Sequence, residues 1–368
     1  MELFKLNSSF QQGQIIKDTT STSWIERYRD AGEFTIEAPV SSGLRTFLPL
    51  DTFISHTDTP EVMIVENHEI KEDENSEAVI TITGRSLETF LENRIVGSNR
   101  TFPYTGVTAL PEYTLSSVRT HNQAVNLIND HILTAPLVQD NDFWPLVISA
   151  AASVFPAGAS VERILKRDPV YKHLLDLLKI DDLGIKVYRG PVWNPALPTL
   201  TYLIIHPGED KTNSIAFSYT NGDLASANYL WSNKTRKNSA LITGKWLENR
   251  VQGSAIGYDR RMMLIDGSAF DTIYTAMPAA GATQNGIRAA MAVRANEILD
   301  TQKDVNIANV EISRTSSSYK YRKDYNVGDV VAVEGNYDAS TKMRVIEYVE
   351  IEDENGQVGY PTLSAIES

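Results

Sequence analysis

The chain has 368 residues, 42% of them hydrophobic and 22% charged, which is typical of a globular protein with two or three domains. It contains no cysteine, and this excludes disulfide bonds, thiolate nucleophiles and zinc–thiolate sites. The formal net charge of −13 disfavours a nucleic-acid-binding protein, because contacts to phosphates need clustered Lys and Arg, although an acidic surface lets DNA pass without adhering.

The sequence shows no membrane signal. Residues 1–7 lack the charged and apolar regions of a signal peptide. The longest apolar run, residues 144–155, contains Pro145 and is too short to cross a bilayer. We therefore expect no stable membrane insertion and assembly in a cytoplasm.

Residues 1–98 are predicted to form a β-rich unit. Phe34, Ile36 and Ala38 alternate with polar residues, which is the pattern of a half-buried strand. The acidic segment 71–77 lies between two β-branched runs and predicts a hairpin with a solvated tip, since the spacing of a calcium loop is missing. A short helix capped by Ser86 is expected to follow the hairpin.

Residues 99–211 are predicted to form an inserted α+β domain, with helices near 121–133 and 161–179. The first helix is indicated by an apolar stripe. The second is indicated by another stripe and by Asp168 and Pro169, which are typical of the N-cap and first position of a helix.

Residues 212–368 are predicted to form a second β-rich unit that includes a helix at 284–300. Asn221-Gly222 and Asn355-Gly356 predict tight turns between strands. The fold class is therefore α+β and β-rich, with antiparallel strands in two units and a helical α+β insertion between them.

Two segments of the chain repeat each other. Residues 91–98 read Leu-Glu-Asn-Arg-Ile-Val-Gly-Ser, and residues 247–254 read Leu-Glu-Asn-Arg-Val-Gln-Gly-Ser. Each is preceded by Ile-Thr-Gly and a basic residue, at 82–85 and 242–245. The repeated order predicts a duplicated unit, the alternative being coincidence at a polar strand-to-helix junction.

No motif of catalysis or metal binding stands out. The six histidines form no zinc motif, and no nucleophile elbow or phosphate-binding loop is present. A pair of carboxylates for glycoside hydrolysis cannot be recognised from sequence, because its members can come from anywhere in the chain. We therefore predict a protein that is not an enzyme, with no catalytic, cofactor-binding or metal-binding residues.

The segment 319–325 interleaves tyrosines with basic residues. Such a pattern can provide a stacking surface for single-stranded nucleic acid. The net charge of −13 favours the other interpretation, a strand with tyrosines on one face and charges on the other.

Six segments, taken in order, carry a family pattern: residues 24–36, 62–66, 82–87, 271–274, 294–297 and 325–329. The most specific are Arg-Tyr-x-x-Ala-Gly-Glu-Phe at 27–34 and Gly-Arg-Ser-Leu at 84–87. Together they resemble the tail hub (tail-tip or baseplate hub) proteins of long-tailed, non-contractile bacteriophages, over residues 20–350.

The resemblance implies a structural virion protein. Such hubs are homotrimers at the distal end of the tail tube, connecting the tube to the tail tip. Each subunit supplies two related antiparallel β-barrel-like domains, so that three subunits form a pseudo-six-fold ring. Residues 1–98 and 212–368 would be these domains in this chain.

The resemblance also implies partners and a location. The partners are further copies of the chain, the distal tail or tail tube protein, the tape measure protein, and tail-tip fibre or receptor-binding proteins, with DNA passing through unbound. The expected location is the phage tail tip, after assembly in the bacterial host cytoplasm. Many hubs carry a C-terminal hydrolase or receptor-binding module, and this chain resembles the hub core alone.

Two other functions stay open. The first is a β-protein that binds or hydrolyses cell-wall glycans, with tryptophans as stacking platforms for sugars. The tryptophans are Trp24, Trp144, Trp193, Trp231 and Trp246. The second is the hub of a contractile injection system, which shares the architecture.

Overall fold

A computed structural model describes residues 1–8, 10–73, 76–96, 113–133, 146–149, 160–190, 201–232, 234, 236–252, 257–280, 283–300, 305–313, 318–335 and 340–366. Within these residues, the largest sheet has 13 strands from the N-terminal and C-terminal regions of the chain. Two smaller sheets come from the middle, and a third comes from residues 239–266 in the C-terminal region. The fold is thus α+β and rich in strands, as the sequence predicts. No helix in this part of the chain has the length and apolar character needed to cross a bilayer.

The N-terminal region forms strands that are buried on one face. Its elements are β1 (Leu3–Leu6), β2 (Gln12–Ile15), β3 (Ser21–Arg27), β4 (Glu33–Pro39), α1 (Leu44–Phe47), β5 (Phe53–His56), β6 (Val62–Asp73) and β7 (Ser76–Ser86). In β4 every second residue is buried, so the predicted alternation of Phe34, Ile36 and Ala38 is confirmed. The predicted hairpin is the β6–β7 pair.

A 3₁₀ helix, Leu87–Asn93, follows β7 where the sequence predicts a short helix. Ser86 is its N-cap residue, but its side chain makes no capping hydrogen bond. The hydroxyl of Ser86 instead accepts a hydrogen bond from the backbone N–H of Gly32, at 2.7 Å. Ser86 therefore ties the helix start to the turn before β4.

The middle of the chain forms two small sheets and two helices. Its elements are β8 (Tyr113–Arg119), α2 (Thr120–Ile128) with a π-helical continuation (Asn129–Leu133), β9 (Leu146–Ser149), β10 (Ser160–Leu165), α3 (Val170–Ile180), β11 (Gly184–Arg189) and β12 (Thr201–His206). The helix near 121–133 lies where the sequence predicts it.

The second helix of this region begins later than predicted. We expected it over 161–179, but Ser160–Leu165 is a strand paired with β8, and the helix starts at Val170. Pro169 is the N-cap residue rather than the first helical residue. The physical reason is that a proline disfavours the helical conformation of the residue before it, which prevents extension of the helix toward the N-terminus.

The C-terminal region contains strands of the large sheet and a separate α/β module. Its elements are β13 (Ala216–Ser218), β14 (Leu224–Ser232), β15 (Ser239–Thr243), β16 (Glu248–Gln252), β17 (Met262–Asp266), α4 (Ala269–Ala280), α5 (Gln284–Asp300), β18 (Val305–Ile312), β19 (Val330–Glu334), β20 (Ser340–Asp353) and β21 (Gly356–Ala365). The helix α5 coincides with the predicted range 284–300.

The turn at Gly222 does not join a hairpin. Gly222 has a positive φ of 72°, as the Asn-Gly sequence predicts. The strands on its two sides nevertheless pair elsewhere: β13 pairs with β19 in parallel, and β14 pairs with β18. By contrast, Gly356 stands in the turn of a true hairpin, between β20 and β21.

The two β-rich regions are joined in one sheet. The strand order is β14-β18-β21-β20-β3-β4-β7-β6-β5-β1-β2, and β19 pairs with β20 off this path. The seam between the regions is the antiparallel β3–β20 pair, in which Glu26 lies opposite Tyr348 and Trp24 lies opposite Glu350. The N-terminal and C-terminal regions therefore share a continuous hydrogen-bonded ladder.

The α/β module comprises β15, β16, β17, α4 and α5. It has its own hydrophobic core, which includes Ile242, Ile265 and Met291. It is inserted between β14 and β18, which pair antiparallel with Ser232 opposite Val305, so the two connections leave the sheet side by side. A bidentate ion pair between Arg163 and Glu297 links the module to the middle region.

The repeated segments differ in conformation. In the first copy, Leu-Glu-Asn ends the 3₁₀ helix, in which Leu87 and Leu91 are buried, and Arg94 follows it in an extended conformation. In the second copy, Glu-Asn-Arg belongs to the strand β16, which pairs with β15. The two copies therefore do not share a local conformation, because pairing with β15 extends the second segment. The duplicated unit stays a prediction. Residues 97–98 and 253–254 lie outside the described residues.

Candidate functional site

Charged side chains meet in the interior at the place where the three regions of the chain join. Glu26 of β3 is at the centre, with its side chain 4% exposed. Its carboxylate oxygens lie 3.2 Å from Nζ of Lys186 in β11 and 2.9 Å from Nη2 of Arg322 in the C-terminal region. The hydroxyl of Tyr321 donates to the same carboxylate. Each region thus contributes to one buried network.

The network extends across the β3–β20 seam. Arg322 Nη1 lies 3.2 Å from Oε2 of Glu350, a residue of β20. Arg322 therefore spans two carboxylates, Glu26 on one strand and Glu350 on the next. We call Glu26, Lys186, Tyr321, Arg322 and Glu350 the polar junction.

The backbone at Arg322 is in an unusual conformation. Its φ is +64°, in the left-handed region that non-glycine residues rarely adopt. Residues 321–325 form a tight turn in which Tyr321 and Tyr325 make a β-bridge. The unfavourable backbone is offset by the two ion pairs that this geometry allows Arg322 to make.

The charges of the polar junction stabilise one another. Burial alone raises the pKa of Glu26, but attraction from Lys186 and then Arg322 outweighs it, so that its pKa lies well below the usual range. Burial acts to lower the pKa of Lys186, and attraction from Glu26 outweighs it in the same way. Both groups are therefore charged, and each depends on the other.

Two further buried carboxyls flank the polar junction without a basic partner in contact. Burial raises the pKa of Glu61 and of Glu88. Glu88 Oε1 accepts a hydrogen bond from the backbone N–H of Val187, at 2.6 Å. The Oε2 atom of Glu61 and the Oε2 atom of Glu88 are both buried with no hydrogen-bond partner. This fits carboxyl groups that are protonated.

A second cluster surrounds Tyr28, next to the polar junction. The guanidinium of Arg344 lies over the Tyr28 ring, 4.7 Å from its centroid, and Nη2 is 2.7 Å from Oδ2 of Asp182. The Tyr28 hydroxyl lies 2.8 Å from the carbonyl oxygen of Asp182. The ring of His206 packs edge-on against Tyr28, and its Nε2 is buried without a partner.

Glycines make room for Tyr28. A Cβ at Gly184 would lie 2.2 Å from the ring, and one at Gly328 would lie 2.7 Å from it. Gly328 also has a φ of +101°, which excludes most other residues. Tyr28 belongs to the Arg-Tyr-x-x-Ala-Gly-Glu-Phe segment, so one residue of this segment packs where the three regions join.

Two cavities border the polar junction. One, of about 610 Å³, is lined by residues of all three regions, among them Glu26, Lys186, His206 and Arg322. The other, of about 390 Å³, is lined by the tyrosines of the C-terminal region and by Glu350. Every charge of the polar junction is engaged by another protein group, so the arrangement is suited to holding the regions together. Within the described ranges, no group of three or more potential ligands could hold a metal ion.

The segment 319–325 is neither a stacking surface nor a strand. Tyr325 is buried, and Tyr319 and Tyr321 pack against the C-terminal core. The interpretation as a strand with two faces is wrong, because Arg322 is drawn into the interior by Glu26 and Glu350 and the chain turns there. The tyrosines and the arginine of this segment serve internal packing.

The tryptophans are only partly described. Trp24 is fully buried in the N-terminal core, so it is not a platform for a sugar. Trp246 is 53% exposed and stacks on Tyr274, with ring centroids 6.3 Å apart. Trp144, Trp193 and the side chain of Trp231 lie outside the described residues.

Comparison with known proteins identifies the family. Residues 1–362 match the model of the Siphovirus ReqiPepy6 Gp37-like proteins. The chain belongs to this family. It is therefore a member of a siphovirus protein family, and the predicted resemblance to a siphophage tail family is confirmed. No curated protein matches the chain in sequence.

Solved structures show which fold the Gp37-like protein adopts. It is similar to the tail protein from Neisseria meningitidis MC58, with a TM-score of 0.53 and 10% identity over 99% of this chain and 96% of the other. It is similar to the 43 kDa tail protein of prophage MuSo2 from Shewanella oneidensis, with a TM-score of 0.53 and 13% identity over 100% and 97%.

A third structure gives the same result. The prophage tail protein gp18 from Listeria monocytogenes EGD-e matches with a TM-score of 0.53 and 11% identity, over 100% of this chain and 95% of that one. The Gp37-like chain therefore shares its fold along the full length with three tail proteins, two of which come from prophages.

Proposed function

We propose that this Gp37-like protein is the trimeric hub at the distal end of a phage tail tube. In this role it connects the tube to the tail tip and forms part of the passage for DNA. Residues 1–98 and 212–368 supply the two β units of each subunit, with 99–211 inserted between them, so that three subunits present six units to a six-fold tube.

The observation that carries this proposal is the full-length match in fold to phage tail proteins by a member of a siphovirus tail family. A shared fold does not by itself fix a function, but here family membership and fold agree. The role is structural, and the proposal includes no enzymatic activity.

The polar junction supports such a role. A hub subunit must keep its β units in a fixed relative position, because an error in one subunit is multiplied around the ring. The β3–β20 ladder joins the N-terminal region to the C-terminal region. The contacts of Glu26 with Lys186 and Arg322 join it to the middle region and to the C-terminal region. Buried, paired charges of this kind favour one arrangement, because any other leaves a charge unpaired.

The acidic composition supports a passage for DNA. A net charge of −13 repels phosphates, so a lumen lined by this protein would let DNA slide without being held. The proposed partners are further copies of the chain, the distal tail or tail tube protein, the tape measure protein and tail-tip fibre or receptor-binding proteins.

The test is the solution mass of the purified chain, followed by its location in the virion. Native mass spectrometry is expected to give about three times the subunit mass of 40.9 kDa. Antibody labelling of intact virions in the electron microscope is expected to mark the tail tip. Labelling at the capsid or along the whole tail would overturn the proposal.

A further inference from the structure

The N-terminal and C-terminal regions each contain five strands that pair in the same order. In chain order, the strands of the first region are β3, β4, β5, β6 and β7, and those of the second are β14, β18, β19, β20 and β21. In both sets the first strand pairs with the second, the second with the fifth, the fifth with the fourth, and the fourth with the third, always antiparallel. We call each set a five-strand unit.

The fourth strands of the two units, β6 and β20, also agree in detail. Each pairs with the third strand only near its beginning, at residues 62–64 of β6 and 340–344 of β20. Each carries Met-x-Val with both side chains buried, and directly after the valine the register with the fifth strand shifts, after Val65 in β6 and after Val345 in β20. This correspondence is independent of the repeated sequence segments, which compare β7 with β15.

The fourth strands differ in what lies beside them after the shift. In β20, residues 347–352 pair with β3 and form the seam between the two regions. The corresponding residues of β6, 67–72, pair with β7 on one side. Their other side has no strand partner in the part of the chain that the structure describes. The first unit thus presents a free edge at the place where the second unit holds β3.

The first strands of the two units differ in the complementary way. The strand β3 pairs with β4 on one side and with β20 on the other. The strand β14 pairs with β18, and within the described ranges no strand covers its outer side. Residues 224–232 of β14 contain no charged residue and no proline. Natural proteins rarely leave such an edge uncovered, because it offers its backbone groups to another strand.

We propose that β6 of one copy of the chain pairs antiparallel with β14 of the next copy. The joint between copies then repeats the β3–β20 seam that joins the two units within each copy. A ring of identical subunits needs two different edges that fit each other, and the free edges of β6 and β14 are such a pair. The inference rests on the proposed trimer and names the contact that closes it.

The shifts of register show which residues of the two units correspond. Aligning them places Asn67 with Glu347. Across the first unit the row of paired residues is Asn67, Thr83, Thr35 and Ser23, and across the second unit it is Glu347, Thr362, Glu311 and Ser226. Ser226 therefore corresponds to Ser23. The faces agree as well, since the neighbours of Thr35 and of Glu311 in their strands pack into the two cores.

This correspondence predicts the register between copies. The reference pairs of the seam are Ser23 with Ile351 and Ile25 with Val349. At the proposed joint, Ser226 is therefore expected opposite Lys71 of the next copy, and Asn228 opposite Glu69. All four side chains are exposed, so the joint can form without moving a buried group.

The absence of cysteine allows a direct test by disulfide formation. Residues directly opposite each other in antiparallel strands have Cα atoms about 4.5–5.5 Å apart, within the range of a disulfide. Under mild oxidation, a chain with Glu69→Cys and Asn228→Cys is expected to give a covalent trimer on non-reducing electrophoresis. Either substitution alone is expected to leave the subunits unlinked, because β6 meets β14 and not another β6.

The matched control moves one cysteine along the same strand. Glu72→Cys with Asn228→Cys places the first cysteine three residues further along β6, about 10 Å away and on the other face of the sheet. Glu72 is exposed like Glu69, so the control differs only in register. No disulfide is expected for this pair. A disulfide here, in place of the Glu69→Cys pair, would overturn the proposed joint.

Charge provides a second, independent test. Asn228→Glu sets a like charge opposite Glu69 and is expected to raise the concentration needed for assembly about fivefold. Asn228→Lys changes the same exposed residue and is expected to assemble at least as well as the original chain. Adding Glu69→Lys to Asn228→Glu is expected to restore assembly. Equal assembly of the Asn228→Glu and Asn228→Lys chains would contradict the joint.

The outcomes separate this joint from the proposed function. A trimer that forms no disulfide between positions 69 and 228 would overturn the inference and leave the trimeric hub standing. Covalent products that grow beyond three subunits would support the joint and overturn closure of the ring at three copies. A chain that stays monomeric at every concentration would overturn both.

Discussion

Glu26 shows how a single residue can hold three parts of a chain together. It accepts contacts from Lys186, Tyr321 and Arg322, which lie at least 160 positions away in sequence. Loss of one partner from such a set leaves the others charged and buried. The cost of a mutation in free energy of unfolding is therefore set by the buried charges that are left unpaired, rather than by the single contact that is lost.

Glu26→Ala is expected to lower the free energy of unfolding by about 3–5 kcal/mol, because Lys186 stays buried without its counter-charge. Chemical denaturation followed by circular dichroism measures this. The matched control is Glu33→Ala, which removes a half-exposed partner of Arg27 and is expected to cost about 0–1 kcal/mol. Equal costs for the two variants would contradict the assigned role of Glu26.

His206 is expected to make the protein sensitive to acid. Burial, followed by repulsion from Lys186 and Arg344, lowers its pKa from 6.5 to about 3. Between these pH values the unfolded chain binds a proton that the folded chain does not. The free energy of unfolding is therefore expected to fall as the pH is lowered from 6.5 toward 3.

His206→Leu removes this group and is expected to flatten that part of the stability profile. Denaturation at a series of pH values, for the variant and the original chain, measures the difference. His173→Leu is the control, since the His173 ring contacts the Lys166 carbonyl at the protein surface. A profile that keeps its acid slope in His206→Leu would show that other groups cause it.

The sequence could not reveal the polar junction as a set. Its members come from positions 26, 186, 321, 322 and 350, and nothing in local spacing links them. Two signals were present: the segment containing Glu26 and Tyr28 carried the family pattern, and the segment 319–325 was unusual in composition. The alternation of residues in 319–325 predicted a strand. The chain turns at Arg322 because of buried carboxylates from other segments, which local spacing cannot indicate.

At the scale of elements, strands and helices with a regular apolar pattern were predictable. The strand β4 and the helix α5 follow their periodicity closely. The helices α4 and α3 show the limits. The helix α4, which contains Pro278, was not predicted. The start of α3 was placed too early, because the stripe of apolar residues continues into the strand β10.

Each of the two similar segments contains a glycine after Ile-Thr, and the surroundings of the two glycines differ. Gly84 faces the neighbouring strand so closely that a Cβ would lie 1.8 Å from the backbone oxygen of Ile64 and 2.6 Å from the ring of Phe34. At Gly244 the nearest atom is a side-chain oxygen of Asp271, at 2.6 Å. A side chain at position 84 would collide with backbone and with a buried ring. A side chain at position 244 would first meet a side chain that can move.

Gly84→Ala is expected to lower the free energy of unfolding by about 3 kcal/mol or more, at the upper end of overpacking costs, because the backbone of β6 must shift. Thermal unfolding by calorimetry measures this. Gly286→Ala is the control: it lies in α5 with only the Thr283 hydroxyl nearby and is expected to be neutral or stabilising by up to about 1 kcal/mol. An unchanged unfolding temperature in Gly84→Ala would contradict the close approach of the two strands.

At the scale of the whole molecule, the two β-rich regions are parts of one sheet. They were predicted as two separate units because a long insertion lies between them. No local pattern indicates that β3 pairs with β20. The middle region is also bound to the first, since Leu87 and Leu91 share a core with Leu174 and Leu178 of α3. Contacts between distant segments thus decide the architecture.

A fragment of residues 1–98 is therefore expected not to unfold cooperatively. It would expose the edge of β3 and leave Leu87, Leu91 and Glu26 without their partners. Urea denaturation of the fragment and of the whole chain makes the comparison. A sharp transition for the fragment, as steep per residue as that of the whole chain, would show that the first region is an independent domain.

The β3–β20 seam also decides how the subunit responds to force. Six residue pairs, from Arg27–Glu347 to Thr22–Glu352, join the two regions in antiparallel register. A force parallel to the strands loads the hydrogen bonds of all these pairs in shear at the same time. A force perpendicular to the strands breaks them one after another. A tail that is stretched along the strand direction would therefore meet high mechanical resistance at this seam, and a sideways load would meet little.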